Sequence, residues 1–149
     1  MTLGGSLLRY QKRFAGLVAG IGGRYHADPL FARFAMLKVG DLYRQQLRVH
    51  AWRFWNGSLP ENQAAMLQRA GEVHGHATRL ARRGIHVGTR DHRSIGYRVP
   101  VEWASMALEE REMGNLAAFK RRSRAGLLGD YAAFVCRVTG CGVCGGPGG

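Results

Sequence analysis

Apolar residues recur at three- and four-residue intervals along most of this 149-residue chain, and Gly, Pro and Asn pairs cut that pattern into short lengths. A chain written this way can bury its apolar side chains only as amphipathic helices packed on one another. Leu7, Tyr10, Phe14, Leu17/Val18 and Ile21 mark the inward stripe of a helix over 7–21. Arg9, Lys12 and Arg13 take its other side, and Gly22-Gly23 ends it. Asp28-Pro29 opens a second helix, with Asp28 as cap and Leu30, Phe31 and Phe34 buried. The longest pattern runs over 39–55, with Val39, Leu42, Tyr43, Leu47, Ala51 and Phe54 inward and Arg44, Gln45, Arg48 and Arg53 outward. Ser58-Leu59-Pro60-Glu61 carries a capping-box spacing and predicts a helix to about residue 70.

From residue 71 to 98 the helical period is lost. Ile85/Val87 and Ile95/Tyr97 alternate at period two, which predicts a short two-stranded element around 84–98 with its turn near 89–92. Pro100 then starts a short helix carrying Val101 and Trp103. Asn115 caps a last helix reaching about residue 134, with Leu116, Phe119, Leu127, Tyr131 and Phe134 inward and Lys120, Arg121 and Arg124 outward. Trp52, Trp55 and Trp103 fall to the core. The expected architecture is mostly α: a bundle of five to six helices with one β interruption, a single domain over 1–135 and a Gly/Cys-rich flexible tail over 136–149.

Charge narrows the function. Twenty-two Lys and Arg face ten Asp and Glu, a formal +12, so a polyanion is the natural partner. Nineteen of the 22 are Arg, a bias that fits bidentate phosphate recognition and equally the codon composition of a GC-rich genome. The longest apolar run, 14–21, is broken by Gly16 and Gly20 and is too short to span a bilayer. It also lacks the length and cleavage site of a secretory signal. No metal-binding His-Glu-x-x-His, nucleophile elbow, phosphate loop or dinucleotide fingerprint occurs, and Glu109, Glu110 and Glu112 crowd one short, solvated segment. No catalytic residue and no cofactor are therefore expected. Cys136, Cys141 and Cys144 follow a C-x4-C-x2-C spacing that lacks a fourth nearby ligand. They are weak metal candidates, better read as free thiols of a reducing compartment.

The best binding stretch is 76–98, where Arg79, Arg82, Arg83, Arg90, Arg93 and Arg98 stand against Asp91 alone, with Tyr97 available to stack on a base. A solubilising loop without a partner has the same composition. Lys12, Arg13, Lys120, Arg121 and Arg124 are basic residues outside this stretch, and their use as phosphate contacts is what the family resemblance below implies.

Several segments in order carry a resemblance: Leu8-Arg9-Tyr10-Gln11-Lys12-Arg13, Tyr25-His26-Ala27-Asp28-Pro29-Leu30-Phe31, Leu37-Lys38-Val39-Gly40-Asp41-Leu42-Tyr43, Asn56-Gly57-Ser58-Leu59-Pro60, His74-Gly75-His76-Ala77-Thr78-Arg79, Arg93-Ser94-Ile95-Gly96-Tyr97-Arg98-Val99-Pro100 through Trp103, and Leu116-Ala117-Ala118-Phe119-Lys120-Arg121-Arg122. Together, over about residues 5–131, they resemble the region after the polymerase domain of non-LTR (LINE-type) retrotransposon reverse transcriptases. Val99 stands where that family has Gly, and Arg122-Ser123-Arg124 where it has Leu. The aromatic-x-Asp-Asp motif of the polymerase palm is absent. Asp28, Asp41 and Asp91 lie in unrelated contexts, so the carboxylates that hold Mg²⁺ for phosphoryl transfer are missing.

What the resemblance implies is a non-catalytic fragment that holds RNA or DNA through phosphates with little base reading, within a larger polymerase or ribonucleoprotein. The alternative is a structural RNA-binding subunit of a ribonucleoprotein. A membrane-surface role for helix 7–21 is disfavoured, because its basic residues gather at one end and its glycines at the other. The expected location is intracellular and reducing: nucleus, cytoplasm or an organelle.

Overall fold

The computed structural model describes residues 3–73, 84–132, 136–137 and 140–144. These hold eight helices and no sheet: α1 (Leu3–Val18), α2 (Asp28–Arg33), α3 (Val39–Trp55), α4 (Glu61–Ala64), α5 (Ala70–Val73), α6 (Ile95–Ser105), α7 (Leu108–Arg111) and α8 (Leu116–Ala132). The mostly helical class is as expected. The chain divides into two compact units, one of residues 1–43 with 124–149 and one of residues 44–123.

In the first unit Ala27, Phe31, Leu37, Leu127 and Tyr131 form the core, with Leu8, Tyr25 and Met36 packed against it. Phe31 meets the Tyr131 ring edge-on at 6.3 Å. Polar groups pin the link between α2 and α3. The Gln11 side chain donates to Leu37 O at 3.3 Å and accepts from Val39 N at 2.8 Å. The Tyr131 hydroxyl accepts from Lys38 N at 3.0 Å and donates to Asp41 Oδ2 at 2.5 Å. Burial and the Asp41 carboxylate push that phenol well above its ordinary range.

Helix α1 departs from the sequence reading in its end and in its buried face. It closes at Gly20 rather than at Gly22-Gly23. Gly20 adopts φ +68°, Ile21 N donates to Gly16 O, and Gly20 N donates to Leu17 O, the paired bonds of a Schellman cap. The predicted inward stripe is in solvent: Tyr10 is 65% and Leu17 78% exposed, and Leu7, Phe14 and Val18 are exposed with them. The helix docks instead through half-buried Leu8 and Gln11 and buried Ala15 and Gly16. Two contacts select this face: the Gln11 clamp on the α3 entry, and Tyr25, whose hydroxyl donates to Lys12 O at 2.8 Å over Gly16.

Helix α2 begins where expected and buries Leu30 and Phe31, but Phe34 stays half-exposed. Asp28 does not cap it: no side-chain cap bond forms, and the carboxylate instead pairs with Lys38 Nζ at 2.8 Å. Ala35 closes the helix at φ +49°, a conformation that costs a side-chain-bearing residue about 1–2 kcal/mol. The Arg124 guanidinium bonds Ala35 O at 2.6 Å, holding that turn.

In the second unit Leu47, Val49, Ala51, Trp52, Leu67, Ile85, Val99, Trp103, Met106 and Phe119 form the core. Trp52 stacks on Phe119 at 5.9 Å and donates its indole N–H to Met113 O at 2.7 Å, while Trp55 lies 5.6 Å from Trp103. The predicted bounds of α3 hold, and Leu47 and Ala51 are buried and Arg53 exposed as expected, but part of each face is exchanged. Gln45 and Arg48 are buried, whereas Leu42 and Tyr43 are exposed. The reason is Glu102 on α6, which accepts from Arg44 Nε at 2.9 Å and from Arg48 Nε at 3.2 Å, so a guanidinium goes inside with its counter-charge.

After Trp55 the expected long helix is only α4, one turn whose N-cap position is Pro60. Ser58 makes no cap; its hydroxyl donates back to Arg53 O at 3.3 Å.

The two-stranded element is absent among the described residues. Ile85 does pair with another segment, in a single antiparallel bridge to Arg69, with Ala70 N on Gly84 O and His86 N on Gln68 O. Ile95 and Tyr97, its expected partners, belong to α6. The Asp91 carboxylate accepts from Arg93 N at 3.0 Å and Ser94 Oγ donates to Asp91 O at 2.9 Å, a turn that launches the helix five residues before Pro100. Ile95, Val99 and Trp103 are four apart, so the alternation of 95 and 97 was two positions of a helical period.

The Asn115 cap of α8 forms as read: Ala118 N donates to Asn115 Oδ1 at 3.0 Å. Asn115→Ala is therefore expected to lower stability by about 1 kcal/mol, measured as a lower denaturation midpoint at unchanged slope; an unmoved midpoint would deny the cap its role.

Candidate functional site

The expected phosphate contacts distribute unevenly. Arg79, Arg82 and Arg83 lie outside the described residues. In the second unit Arg90, Arg93, Arg98, Lys120 and Arg121 are all exposed. The segment before α6 forms an open depression of ≈ 440 Å³ lined by Val87, Gly88, Thr89, Arg90, His92 and Tyr97. Its wall is built by an edge-on contact of His92 on Tyr97 at 4.2 Å and by Arg98 Nε donating to His92 O at 2.8 Å. Tyr97 is half-buried and braces His92, so its ring supports this wall. The unit is mixed in sign: among its described residues seven exposed cations stand beside five exposed carboxylates.

The first unit is different. Among its described residues Arg9, Lys12, Arg13, Arg24, Arg33, Arg124 and Arg137 are exposed, against Asp130 as the one exposed carboxylate. Its other two acids are turned inward, Asp28 onto Lys38 and Asp41 onto Tyr131. Arg9, Lys12 and Arg13 are three and four residues apart on α1 and so share one helix face. Arg124 is held against Ala35 O and shapes the turn. Cations are densest in the sequence at 76–98, and nothing in the sequence shows that two acids of the first unit are turned inward onto Lys38 and Tyr131.

The first unit also gathers titratable groups that the sequence separates. The ligand atoms of His26, Cys136 and Cys144 all lie within 4.8 Å of one another. Cys141, placed by the sequence in a flexible tail, is buried, and its sulfur accepts the His26 backbone N–H at 3.2 Å. Hydrogen bonds from the backbone N–H groups of His26 and Val143 bring the Cys141 thiol down to about 6. His26, which the fold brings beside Cys136 and Cys144, lies 110 residues before Cys136; no spacing rule reaches that far, and only a fold that returns α8 to the start of α2 unites them.

Remaining cavities are shallow. One of ≈ 300 Å³ is lined by Trp55, Asn56, Trp103, Leu108, Arg111 and Glu112. Another of ≈ 390 Å³ lies beside the exposed apolar side of α1, between Leu7, Tyr10, Gln11, Phe14, Met36 and Val39. No described helix is long and apolar enough to cross a membrane. Comparison with protein-family models, with characterised proteins and with solved structures finds no match to this chain.

Proposed function

We propose that this chain is a nucleic-acid-binding region without catalysis of its own, of the kind found behind the polymerase of LINE-type reverse transcriptases. It holds RNA or DNA by phosphate neutralisation. The observation that carries this reading is the strongly positive surface of the first unit, where among the described residues seven exposed cations meet one carboxylate. Arg9, Lys12 and Arg13 form its most regular part, a row on one rigid helix at a spacing that lets neighbouring side chains engage successive phosphates. Binding of this type displaces condensed counterions and tolerates any sequence. Arg90, Arg93 and Arg98, around the depression before α6, and Lys120 and Arg121 on α8 supply further contacts.

Salt dependence is the test. With mixed-sequence single-stranded RNA, the apparent affinity of the full chain falls steeply and log-linearly with salt. Changing Arg9, Lys12 and Arg13 together to Gln lowers that slope by about 2. Fluorescence anisotropy over a salt series reads both. No salt-dependent binding by the unaltered chain sinks the reading, and an unchanged slope in the triple variant removes α1 from the interface.

A further inference from the structure

We propose that His26, Cys136, Cys141 and Cys144 together bind one zinc ion, a closed Cys3His site that ties the 136–144 segment to the turn before α2. Three ligand atoms, one nitrogen and two sulfurs, already lie within 4.8 Å of one another. A tetrahedron with Zn–S near 2.3 Å and Zn–N near 2.0 Å sets ligand atoms about 3.3–3.8 Å apart, so closing these three around the metal needs only small side-chain movements. Cys141 lies outside that set of three and is joined to it by its sulfur, which accepts the His26 N–H at 3.2 Å, and by its place in the chain between Cys136 and Cys144.

The histidine is oriented for the same task. Its Nε2 faces Asp28 Oδ2 at 3.7 Å, and that carboxylate is in turn fixed by Lys38 Nζ at 2.8 Å. Its Nδ1 is the buried nitrogen on the other side of the ring, and we assign it to the metal. A carboxylate behind a ligating imidazole sets the ring's tautomer and angle and strengthens the nitrogen as a donor. Three sulfurs and one imidazole select zinc over hard cations such as Mg²⁺ or Ca²⁺. Four protein ligands leave no open position, so the site is structural. On binding, three thiols lose their protons to solvent. The resulting Zn(Cys)3(His) group carries one net negative charge, readily borne by a chain of formal charge +12.

The test uses the full chain, purified under reducing conditions and reconstituted with Zn²⁺ or Co²⁺. Elemental analysis is expected to find one zinc per chain, and the cobalt form to show thiolate charge-transfer bands with the intense visible bands of a tetrahedral site. His26→Ala and Cys141→Ser abolish the tetrahedral spectrum, whereas His26→Cys, which supplies a fourth thiolate, retains zinc. Asp28→Asn weakens zinc about 10-fold. Zinc-free wild-type protein after reconstitution overturns the site, as does a cobalt spectrum that persists in His26→Ala or Cys141→Ser. If His26→Ala does not fold, His26→Cys decides: a folded, zinc-loaded variant supports the assignment and a folded, zinc-free one ends it.

Discussion

Glu102→Ala lowers the stability of the second unit by about 3 kcal/mol. The carboxylate holds two guanidinium groups, Arg44 Nε at 2.9 Å and Arg48 Nε at 3.2 Å, and their surroundings differ. Arg44 is partly in water and loses little. Arg48 is 8% exposed, and its remaining contact, Nη1 to Ser123 Oγ, is long at 3.5 Å. Arginine does not shed its proton at any ordinary pH, so without Glu102 a full charge stays in a dry site. Coulomb attraction in the native pair does little more than offset the dehydration of both ions. The damage therefore comes from leaving one of them alone. Arg48→Met with Glu102→Leu removes both charges and is expected to return near wild-type stability. Trp52, Trp55 and Trp103 all belong to this unit, so tryptophan emission against denaturant reads it specifically. An alanine variant within about 0.5 kcal/mol of wild type would show that water reaches Arg48.

Trp103→Ala is the second large effect, about 3–5 kcal/mol. The indole is 1% exposed, packed 5.6 Å from Trp55 in the cluster that contains Val99, Met106 and Phe119. Its neighbours come from helices α3, α6 and α8, and neither α3 nor α6 can shift far to fill the space without breaking the Glu102 bonds that join those two helices. Trp103→Phe keeps most of the contact area and costs less than half as much. Equal losses for the two replacements would mean that the site collapses around either and that indole size is not what matters. Denaturant midpoints at unchanged slope separate these outcomes.

Much of the helical order could be read from the chain, because it rests on local chemistry. Val39–Trp55 has no internal Gly beyond its first turn and a continuous apolar period, and its bounds were plain. Asn115 stands three residues before the amide it bonds. Faces were harder than spans. On α1 the apolar stripe Leu7, Tyr10, Phe14, Leu17 looked like the buried side, yet Gln11 and Gly16 decide the packing, one by two bonds to a distant backbone and the other by being small. Neither signal appears in a hydrophobic period. On α3, Arg48 reads as outward until its partner Glu102, 54 residues on, is known. The β element failed where two apolar residues of a helix, Ile95 and Tyr97, imitated alternation. His26 was invisible as a member of the cysteine cluster for the same reason as Glu102: the relation is made by the fold.

The contact of Tyr25 with Gly16 has a bearing on how this chain can change. A methyl group built on Gly16 overlaps the Tyr25 hydroxyl and ring, while one built on Gly4, Gly40, Gly126 or Gly129 meets no atom within 4 Å. Those four are helical and face water, and alanine at each would remove backbone freedom from the unfolded chain, worth about 0.5–1 kcal/mol apiece. Any residue that replaces glycine adds at least a carbon, so at position 16 it must displace the Tyr25 ring. The other four are open, and along α1, α3 and α8 the chain holds a reserve of rigidity that its present sequence leaves undrawn.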